Sequence, residues 1–191
     1  KIVEGVAGYF EGEPVDLPLE EPPDSASERD HRIVRVDDLP WESQSRGPFG
    51  SERKRIARAA GARKLGYSVY RIAPGGRPYP FHFHHVNEEF FYVRRGYGQL
   101  RDKDGTRDLD PGDAFACPPG PEGAHAILNT GDVPLEIFAL STMEEPEVSE
   151  YLDSDKLYVM VGSAPGGDPR ERAVDIVLRR GDAVSYEEGE R

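Results

Sequence analysis

Glycine and proline interrupt this chain at short intervals, and this spacing constrains the fold more than any other feature of the sequence. The chain contains 21 glycines and 17 prolines, and its longest run without either is Asp24–Leu39. Proline removes a backbone donor and glycine costs conformational entropy, so both disfavour long helices. The sequence therefore predicts short strands joined by tight turns, and it disfavours a helix bundle or a coiled coil.

From residue 65 onward, short runs rich in Val, Ile, Phe or Tyr alternate with turn sequences such as Asp110-Pro111-Gly112-Asp113. The pattern predicts eight strands: Leu65–Ile72, Phe90–Arg94, Tyr97–Arg101, Ala114–Cys117, His125–Asn129, Leu135–Thr142, Leu157–Val161 and Val174–Leu178. Strands at intervals of roughly ten residues are typical of a closed barrel or jelly roll. We therefore predict an all-β fold.

The length of 191 residues predicts one domain with extensions. We expect an N-terminal arm and extension over residues 1–50, a barrel over 51–145, and a C-terminal strand extension over 146–191 that packs on the barrel. Residues 11–30 are acidic and broken by four prolines, so they cannot form a core of their own. We interpret them as a solvated arm or one that lies against a partner, with an acidic binding tail as the alternative.

Charge and cysteine content limit the partners and the compartment. The chain has 24 basic and 36 acidic residues, a net charge of −12, which disfavours binding to nucleic acid or to an anionic membrane. Cys117 is the only cysteine, so neither a disulfide framework nor a cysteine zinc site is expected. Without a long apolar run or a signal-peptide pattern, the expected location is the cytoplasm.

One segment departs from the acidic composition. Six basic residues stand within twelve positions: Arg53, Lys54, Arg55, Arg58, Arg63 and Lys64. A patch that binds phosphate or nucleic acid is one interpretation. We favour a solvated or subunit-facing strand or turn, because no aromatic residue is interleaved before Tyr67.

The most informative stretch contains His82, His84 and Glu89. Residues two apart on a strand face the same side, so both imidazoles would point into one space, and a hairpin would bring Glu89 beside them. His125 on a later strand is the fourth candidate ligand. Three nitrogens and one carboxylate suit one divalent transition metal, namely Fe, Mn, Co, Ni, Cu or Zn, with Fe or Mn favoured, and the oxygens are too few for calcium.

The spacing of these residues resembles the two signatures of the cupin superfamily. The first is matched by Gly76-x5-His82-x-His84-x4-Glu89-x6-Gly96. The second is matched by Gly112-x5-Pro118-x-Gly120-x4-His125-x3-Asn129, with two residues more than usual before the histidine. The resemblance covers residues 65–142. It implies a double-stranded β-helix, as in single-barrel cupins with a terminal arm, and the metal ligands His82, His84, Glu89 and His125.

Other side chains are candidates for the wall of a substrate pocket. Alternation along the strands selects Phe91, Val93, Ile127 and Asn129, together with either Tyr67, Val69 and Arg71 or Ser68, Tyr70 and Ile72. Tyr70 and Arg71 are the polar members of these two sets that we favour for binding an anionic or hydroxylated substrate. The sequence does not choose the register. Neighbouring residues have other expected roles: His85 lies in a turn, Glu88 faces solvent, and Cys117 is a small buried group.

Three functions remain open at this point. Two open metal positions favour an oxidoreductase, dioxygenase-like, acting on a small oxygenated organic acid or phenolic. The alternatives are an isomerase, lyase or decarboxylase of a sugar or keto acid, and a non-catalytic protein that binds a small molecule. A homodimer is expected by analogy, because cupin-like chains often exchange edge strands.

Overall fold

The structure is a computed structural model that describes residues 32–190. Within this range the chain forms thirteen strands and one α-helix, α1, at Ile56–Ala59. The first seven strands are β1 Glu42–Arg46, β2 Phe49–Lys54, β3 Leu65–Ile72, β4 His82–His84, β5 Glu89–Arg95, β6 Gly98–Asp102 and β7 Gly105–Leu109. The others are β8 Ala114–Cys117, β9 Ala126–Leu128, β10 Leu135–Thr142, β11 Glu147–Tyr151, β12 Lys156–Val161 and β13 Val174–Arg179.

The strands form two faces of an antiparallel barrel. One face is a six-stranded sheet in the order β1-β2-β3-β10-β5-β8. The other consists of the sheets β13-β12-β11-β4 and β7-β6-β9. An antiparallel bridge between His82 and His125 joins these two sheets edge to edge. The prediction of an all-β jelly roll is therefore confirmed.

A core of alternating apolar side chains fills the space between the two faces. Strand β5 sends Phe91 and Val93 inward, while its exposed Tyr92 faces outward. These side chains pack with Ile72, Leu109, Cys117, Ile127, Leu135, Ile137 and Ala139. Alternation also sends Phe83 to the opposite side of β4 from His82 and His84, where it packs with Phe81 and Ala124. The histidines of β4 are thereby left to face the barrel interior.

Strands from both flanks extend the barrel. Before residue 65, β1 and β2 form a hairpin that adds to β3. After residue 142, β11 pairs with β4 and begins the series β11-β12-β13. None of the helices between residues 32 and 190 combines the length and the apolar character that a membrane span needs. The acidic segment 11–30 and most of the arm lie outside the described residues.

Candidate metal centre

His82 and His84 present their ring nitrogens to the same point inside the barrel. Their Nε2 atoms lie 3.2 Å apart. Strand β4 carries both residues, and its pairing with β11 fixes the direction of their side chains. The two-residue period predicted from the sequence thus brings the two imidazoles together.

Glu89 and His125 complete a group of four. Glu89 Oε2 lies 3.3 Å from His84 Nε2 and 3.2 Å from His125 Nε2. Two ligands bound at about 2.0–2.2 Å to one metal ion and at right angles lie roughly 3 Å apart. These separations therefore match neighbouring positions in one coordination shell. His82, His84 and Glu89 each offer a ligand atom within 4.8 Å of the others.

The outer ring nitrogens of the histidines are already bonded. His82 Nδ1 lies 2.9 Å from the carbonyl oxygen of Pro80, and His125 Nδ1 lies 2.9 Å from that of Gly123. A carbonyl oxygen only accepts, so each Nδ1 is the donor and each Nε2 keeps its lone pair. His125 Nε2 is buried and has no hydrogen-bond partner of acceptable geometry among the described residues. A histidine whose Nδ1 donates to a carbonyl oxygen and whose Nε2 keeps a free lone pair is oriented to bind a metal ion through Nε2.

The two additional residues before His125 form part of its support. Pro121–Gly123 folds into a single 3-10 turn. The backbone nitrogen of Gly120 donates to the carbonyl oxygen of His84 at 2.7 Å, which ties this turn to β4. A Cβ at Gly123 would lie 1.9 Å from the carbonyl oxygen of Pro118, so only glycine fits there without movement. The insertion therefore supplies the carbonyl that orients the His125 ring.

The electrostatics of the group favour a bound cation. Burial, with the neighbouring His125 and His84, lowers the pKa of His82 well below its usual range. Burial also opposes a charge on His84, but the carboxylates of Glu89 and Glu147 outweigh burial and raise the His84 pKa to about 10. Burial alone would raise the pKa of Glu89, yet His84 and His125 hold it well below its usual range. A proton on His84 thus balances Glu89, and a metal ion would replace it.

A second carboxylate, Glu147 on β11, lies behind His84. It is fully buried, and its Oε2 lies 3.7 Å from His84 Nδ1. Ser149 Oγ lies 3.1 Å from the same nitrogen. Glu147 also accepts hydrogen bonds from the backbone nitrogens of His85 and Asn87, at 3.0 and 2.9 Å. Burial would raise the Glu147 pKa, but His84 and Asn87 outweigh it and lower the pKa.

Asn87 fixes the turn between the two ligand-bearing strands. Its side chain is fully buried and donates to the carbonyl oxygen of Glu144 at 3.0 Å and also to Glu147. Its Oδ1 accepts from the backbone nitrogen of Glu144 at 2.8 Å. Sequence reasoning missed Asn87, Glu147 and Ser149, because the partners lie more than fifty positions apart. For Glu147 and Ser149 the only local signal is a polar residue at a strand position, and Asn87 lies in a turn, where asparagine is common.

A cavity of about 270 Å³ opens at the candidate centre and is lined by His82, His84 and Glu89. The rest of its wall exposes polar and apolar surface in similar amounts. It includes the hydroxyl-bearing residues Tyr70, Tyr79, Ser141, Ser149, Tyr151 and Tyr158, and the arginines Arg46, Arg53, Arg55 and Arg172. Such a wall suits a small ligand that carries hydroxyl groups and negative charge.

Tyr79 is a wall residue whose ring contacts two of the histidines. Its ring packs edge-on against His82 and His125, with centroids 5.1 and 5.6 Å apart. Its hydroxyl is buried and has no hydrogen-bond partner among the described residues. Burial, reinforced by the charge of Glu89, raises the Tyr79 pKa well above its usual range. The phenol therefore keeps its proton and is available as a donor.

The expected wall residues fall into three groups. Tyr70 lines the cavity, as the second of the two possible registers predicts. Phe91, Val93 and Ile127 instead lie in the apolar core, although Phe91 touches the His125 ring at 5.2 Å between centroids. They are absent from the cavity lining because their side chains fill the barrel interior.

Asn129 and Arg71 also differ from the expectation for a substrate wall. Asn129 is fully buried, and its Nδ2 donates to the carbonyl oxygens of Ile72 and Val133 at 2.8 and 2.9 Å, so it ties loops together. Arg71 lies on the opposite face of β3 from Tyr70. There its Cζ stacks 3.9 Å from the centroid of the Trp41 ring.

The neighbours of the ligand group have simpler roles. His85 Nε2 lies 2.8 Å from Glu150 Oε1 at the surface. Glu88 is exposed, and Cys117 is buried in the core, where burial raises the pKa of its thiol. None of these residues takes part in the group of four.

The basic segment is only partly solvated: Arg58, Arg63 and Lys64 are exposed, while the residues nearer β2 line cavities or are buried. Arg53 and Arg55 line the cavity of the candidate centre. They also line an adjoining cavity of about 550 Å³, together with Arg58 and Arg63. Lys54 points the opposite way, is 6% exposed, and donates to the carbonyl oxygens of Val36 and Asp37. Alternation along β2 separates these two directions.

Comparison with known proteins agrees with the geometry. Residues 68–141 match the family model described as a cupin domain. The fold, the two signatures and this match define the class of the matched segment: residues 68–141 form a cupin domain within a single barrel. A search of curated proteins finds no match.

Three solved structures resemble the chain in fold. A protein from Acidithiobacillus ferrooxidans that carries the name sugar phosphate isomerase is 21% identical, with a TM-score of 0.70 over 83% of this chain and 98% of its own. A sugar phosphate isomerase from Silicibacter pomeroyi is 23% identical, with a TM-score of 0.67 over 81% and 98%. A predicted oxalate decarboxylase from Thermotoga maritima is 24% identical, with a TM-score of 0.51 over 58% and 97%.

Proposed function

We propose that this protein is a metal-dependent enzyme in which His82, His84, Glu89 and His125 bind one divalent transition metal ion, with Fe or Mn favoured. The observation that carries the proposal is the convergence of three Nε2 atoms and one carboxylate oxygen at separations of 3.2 and 3.3 Å. Their outer nitrogens and the buried Glu147 would hold the rings in place for the ion.

The ion would polarise oxygen atoms of the substrate at the positions that the four ligands leave open. Side chains of the protein would bind and orient the substrate. Tyr79 would donate a hydrogen bond to a substrate oxygen, because its buried hydroxyl lacks a partner. Tyr70 and Ser149 would add hydroxyl groups along the wall that they share with the ligands.

Within this class we favour an isomerase, lyase or decarboxylase that acts on a small hydroxylated anion. The hydroxyl groups and arginines of the wall support this choice, since they can bind the hydroxyl groups and the negative charge of such a substrate. The two structures that share most of the chain's length carry the name sugar phosphate isomerase, a likeness of fold that agrees with the proposal. The dioxygenase-like oxidoreductase expected from the sequence is the second candidate. Two open metal positions are what favour it.

The first test is elemental analysis of untagged protein, in the wild type and in His84→Ala. We expect about one transition metal per chain in the wild type and a loss of most of it in the variant. The matched control is His85→Ala, because His85 is exposed and pairs with Glu150. Equal metal content in wild type and His84→Ala, or none in either after reconstitution, would overturn the metal site.

The second test separates the reactions. The metal-loaded protein would be incubated with sugar phosphates, hydroxy acids and keto acids, while an electrode follows oxygen and product analysis follows each substrate. Turnover without oxygen uptake is expected. Oxygen uptake would establish the oxidoreductase instead. Ligand binding without any product would reduce the protein to a binding role.

Two further predictions concern the state of the protein. We also propose that the protein is a homodimer and that it is located in the cytoplasm, as expected from the sequence. The exposed apolar side chains of Ile176 and Val177 on the edge strand β13 support association. Light scattering during gel filtration would measure the mass, and a monomer at all concentrations would contradict the dimer.

A further inference from the structure

Arg53 is a half-buried cation without an anionic partner among the described residues. Its Nε donates to Ser68 Oγ at 2.8 Å, and its Cζ stacks 5.0 Å from the centroid of the Tyr70 ring. The two terminal nitrogens make no hydrogen bond with a described residue, and the side chain lines the cavity of the candidate centre. Glu42 and Glu89 act on this charge only from beyond ion-pair distance. A partly desolvated charge without a paired counterion is costly, so the site favours a bound anion.

Two further arginines share this wall. Arg46 on β1 lines the same cavity and has no ion pair with a described residue. Arg55 pairs with Glu42, at 2.8 Å between Nε and Oε2, and its Nη1 donates to the carbonyl oxygen of Gly166 at 3.3 Å. Three guanidinium groups and the carboxylate of Glu42 give an excess of two positive charges here. The other carboxylate of this cavity, Glu89, is held by His84 and His125 of the metal group.

The fourth arginine of the wall has a structural role and is not part of this set. Arg172, with a side chain 6% exposed, pairs with Asp175 at 2.9 Å. It also donates to the carbonyl oxygens of Ser163 and Ala164, at 3.0 and 3.2 Å. It therefore holds the loop that follows β12. The backbone of that loop lies close to Arg53, since a Cβ at Gly166 would be 3.2 Å from Arg53 Nη2.

We propose that Arg46, Arg53 and Arg55, the arginine subsite, bind the phosphate group of a phosphorylated substrate whose oxygens reach the metal centre. An excess of two charges matches a phosphate dianion better than a single carboxylate, and the planar guanidinium fork matches its oxygens. This inference rests on the proposed function. It adds the substrate class: a small phosphate monoester.

The arginine subsite also explains what the flanks of the barrel contribute. All three arginines lie before the residues that match the cupin domain, 68–141. Strands β1 and β2 carry Arg46 and Arg53 to the cavity, and Arg55 follows β2. The cavity of about 270 Å³ lies below the roughly 300–1,000 Å³ of sites for drug-sized ligands, so the substrate is small. The cupin domain would supply the metal chemistry, and the flank would supply the selectivity.

The test uses the metal-free protein, so that it does not depend on turnover. Calorimetric titration at about pH 8, where inorganic phosphate is mainly a dianion, would measure the affinities for phosphate and for acetate. The variants are Arg53→Gln, Arg46→Gln and the control Arg107→Gln. Arg107 is an exposed residue of β7 that pairs with Asp102. Circular dichroism would check folding, and Arg46→Gln keeps the test valid if Arg53→Gln unfolds.

We expect phosphate to bind the wild type and the control equally, and to bind Arg53→Gln about 10- to 100-fold more weakly. Arg46→Gln should also weaken the binding, and acetate should bind more weakly than phosphate. Absence of phosphate binding, equal binding by Arg53→Gln and the control, or acetate binding as tight as phosphate would overturn the subsite. Metal content is measured in a separate experiment. Absence of a metal would therefore contradict the proposed function, and the phosphate affinities would still decide whether the arginine subsite exists.

Discussion

His82 and His125 exchange both backbone hydrogen bonds of an antiparallel bridge, while their imidazole rings lie 4.6 Å apart between centroids. The nitrogen of His82 donates to the carbonyl oxygen of His125 at 3.1 Å, and the reverse bond is 2.8 Å. This bridge joins the two sheets of one barrel face. The backbone that closes the barrel therefore also sets the distance between two candidate ligands, and the site is preorganised before a metal ion binds.

The turn before His125 leads to the first prediction. Gly123→Ala would place a Cβ 1.9 Å from the carbonyl oxygen of Pro118, so the turn must move. Its carbonyl oxygen, which accepts from His125 Nδ1, would move with it. We expect a metal affinity about 10-fold weaker, measured by competition with a chelator. Gly105→Ala, at a glycine with positive φ and no atom near its Cβ, is the control for backbone strain alone. Similar affinities for both variants would contradict this role of the turn.

The second prediction concerns Glu147. Glu147→Gln removes the buried charge beside His84 Nδ1, which lies 3.7 Å away. Because a carboxylate behind a ligating histidine raises its basicity, we expect a metal affinity about 10- to 100-fold weaker in the folded protein. The matched control is Glu150→Gln on the same strand, since Glu150 contacts His85 and Arg180 at the surface. An unchanged affinity in Glu147→Gln would show that the carboxylate only supports the backbone turn.

Much of the barrel could be predicted because its strands carry apolar alternation. The observed bounds of β3, β8 and β10 are those predicted from the sequence. The convergence of His82 and His84 follows from the same two-residue period. The register of β3 was not predictable, because both of its faces mix apolar and polar residues. Pairing with β10 on one side and β2 on the other decides it.

Strands β1 and β11 were missed for a physical reason. The β1 sequence, ESQSR, is exposed throughout and has no apolar face. Strand β11 buries Glu147 and Ser149, polar residues that face His84 rather than an apolar core. A strand that serves a polar site does not show hydrophobic alternation, so the residues that support the site are the hardest to find in the sequence. The two extra residues before His125 indicated a longer turn, but not that the carbonyl oxygen of Gly123 in this turn accepts from His125 Nδ1.

The third prediction tests the unpartnered hydroxyl of Tyr79. Tyr79→Phe removes a buried polar atom that has no partner among the described residues, so the metal-free protein should be as stable as the wild type or slightly more stable. Turnover should fall about 10- to 100-fold if the hydroxyl donates to the substrate. Thermal unfolding and kcat measure the two effects. Tyr97→Phe, at an exposed tyrosine, is the control. A clear loss of stability in Tyr79→Phe would reveal a structural hydrogen bond instead.

The last prediction concerns the outer face of the first sheet, away from the metal centre. Glu136 on β10 has a side chain 6% exposed and pairs with Arg95 and Arg71, at 2.7 and 3.0 Å. Burial would raise the pKa of Glu136, but Arg95 and Arg71 outweigh burial and lower it. A carboxyl group whose pKa is lower in the folded state stabilises the protein above its unfolded pKa, about 4.3, and loses that stabilisation as the pH falls through the folded value.

Glu136→Gln should therefore lower the free energy of unfolding by about 1 kcal/mol at neutral pH, a modest value because solvent screens the exposed Arg95. The difference from the wild type should shrink below about pH 4.3, where the unfolded carboxyl group takes up its proton. Urea unfolding at a series of pH values measures both curves. Asp108→Asn, at an exposed residue of β7, is the control for loss of one negative charge. A constant difference between Glu136→Gln and wild type across the acid range would mean that packing, and not charge, accounts for the effect.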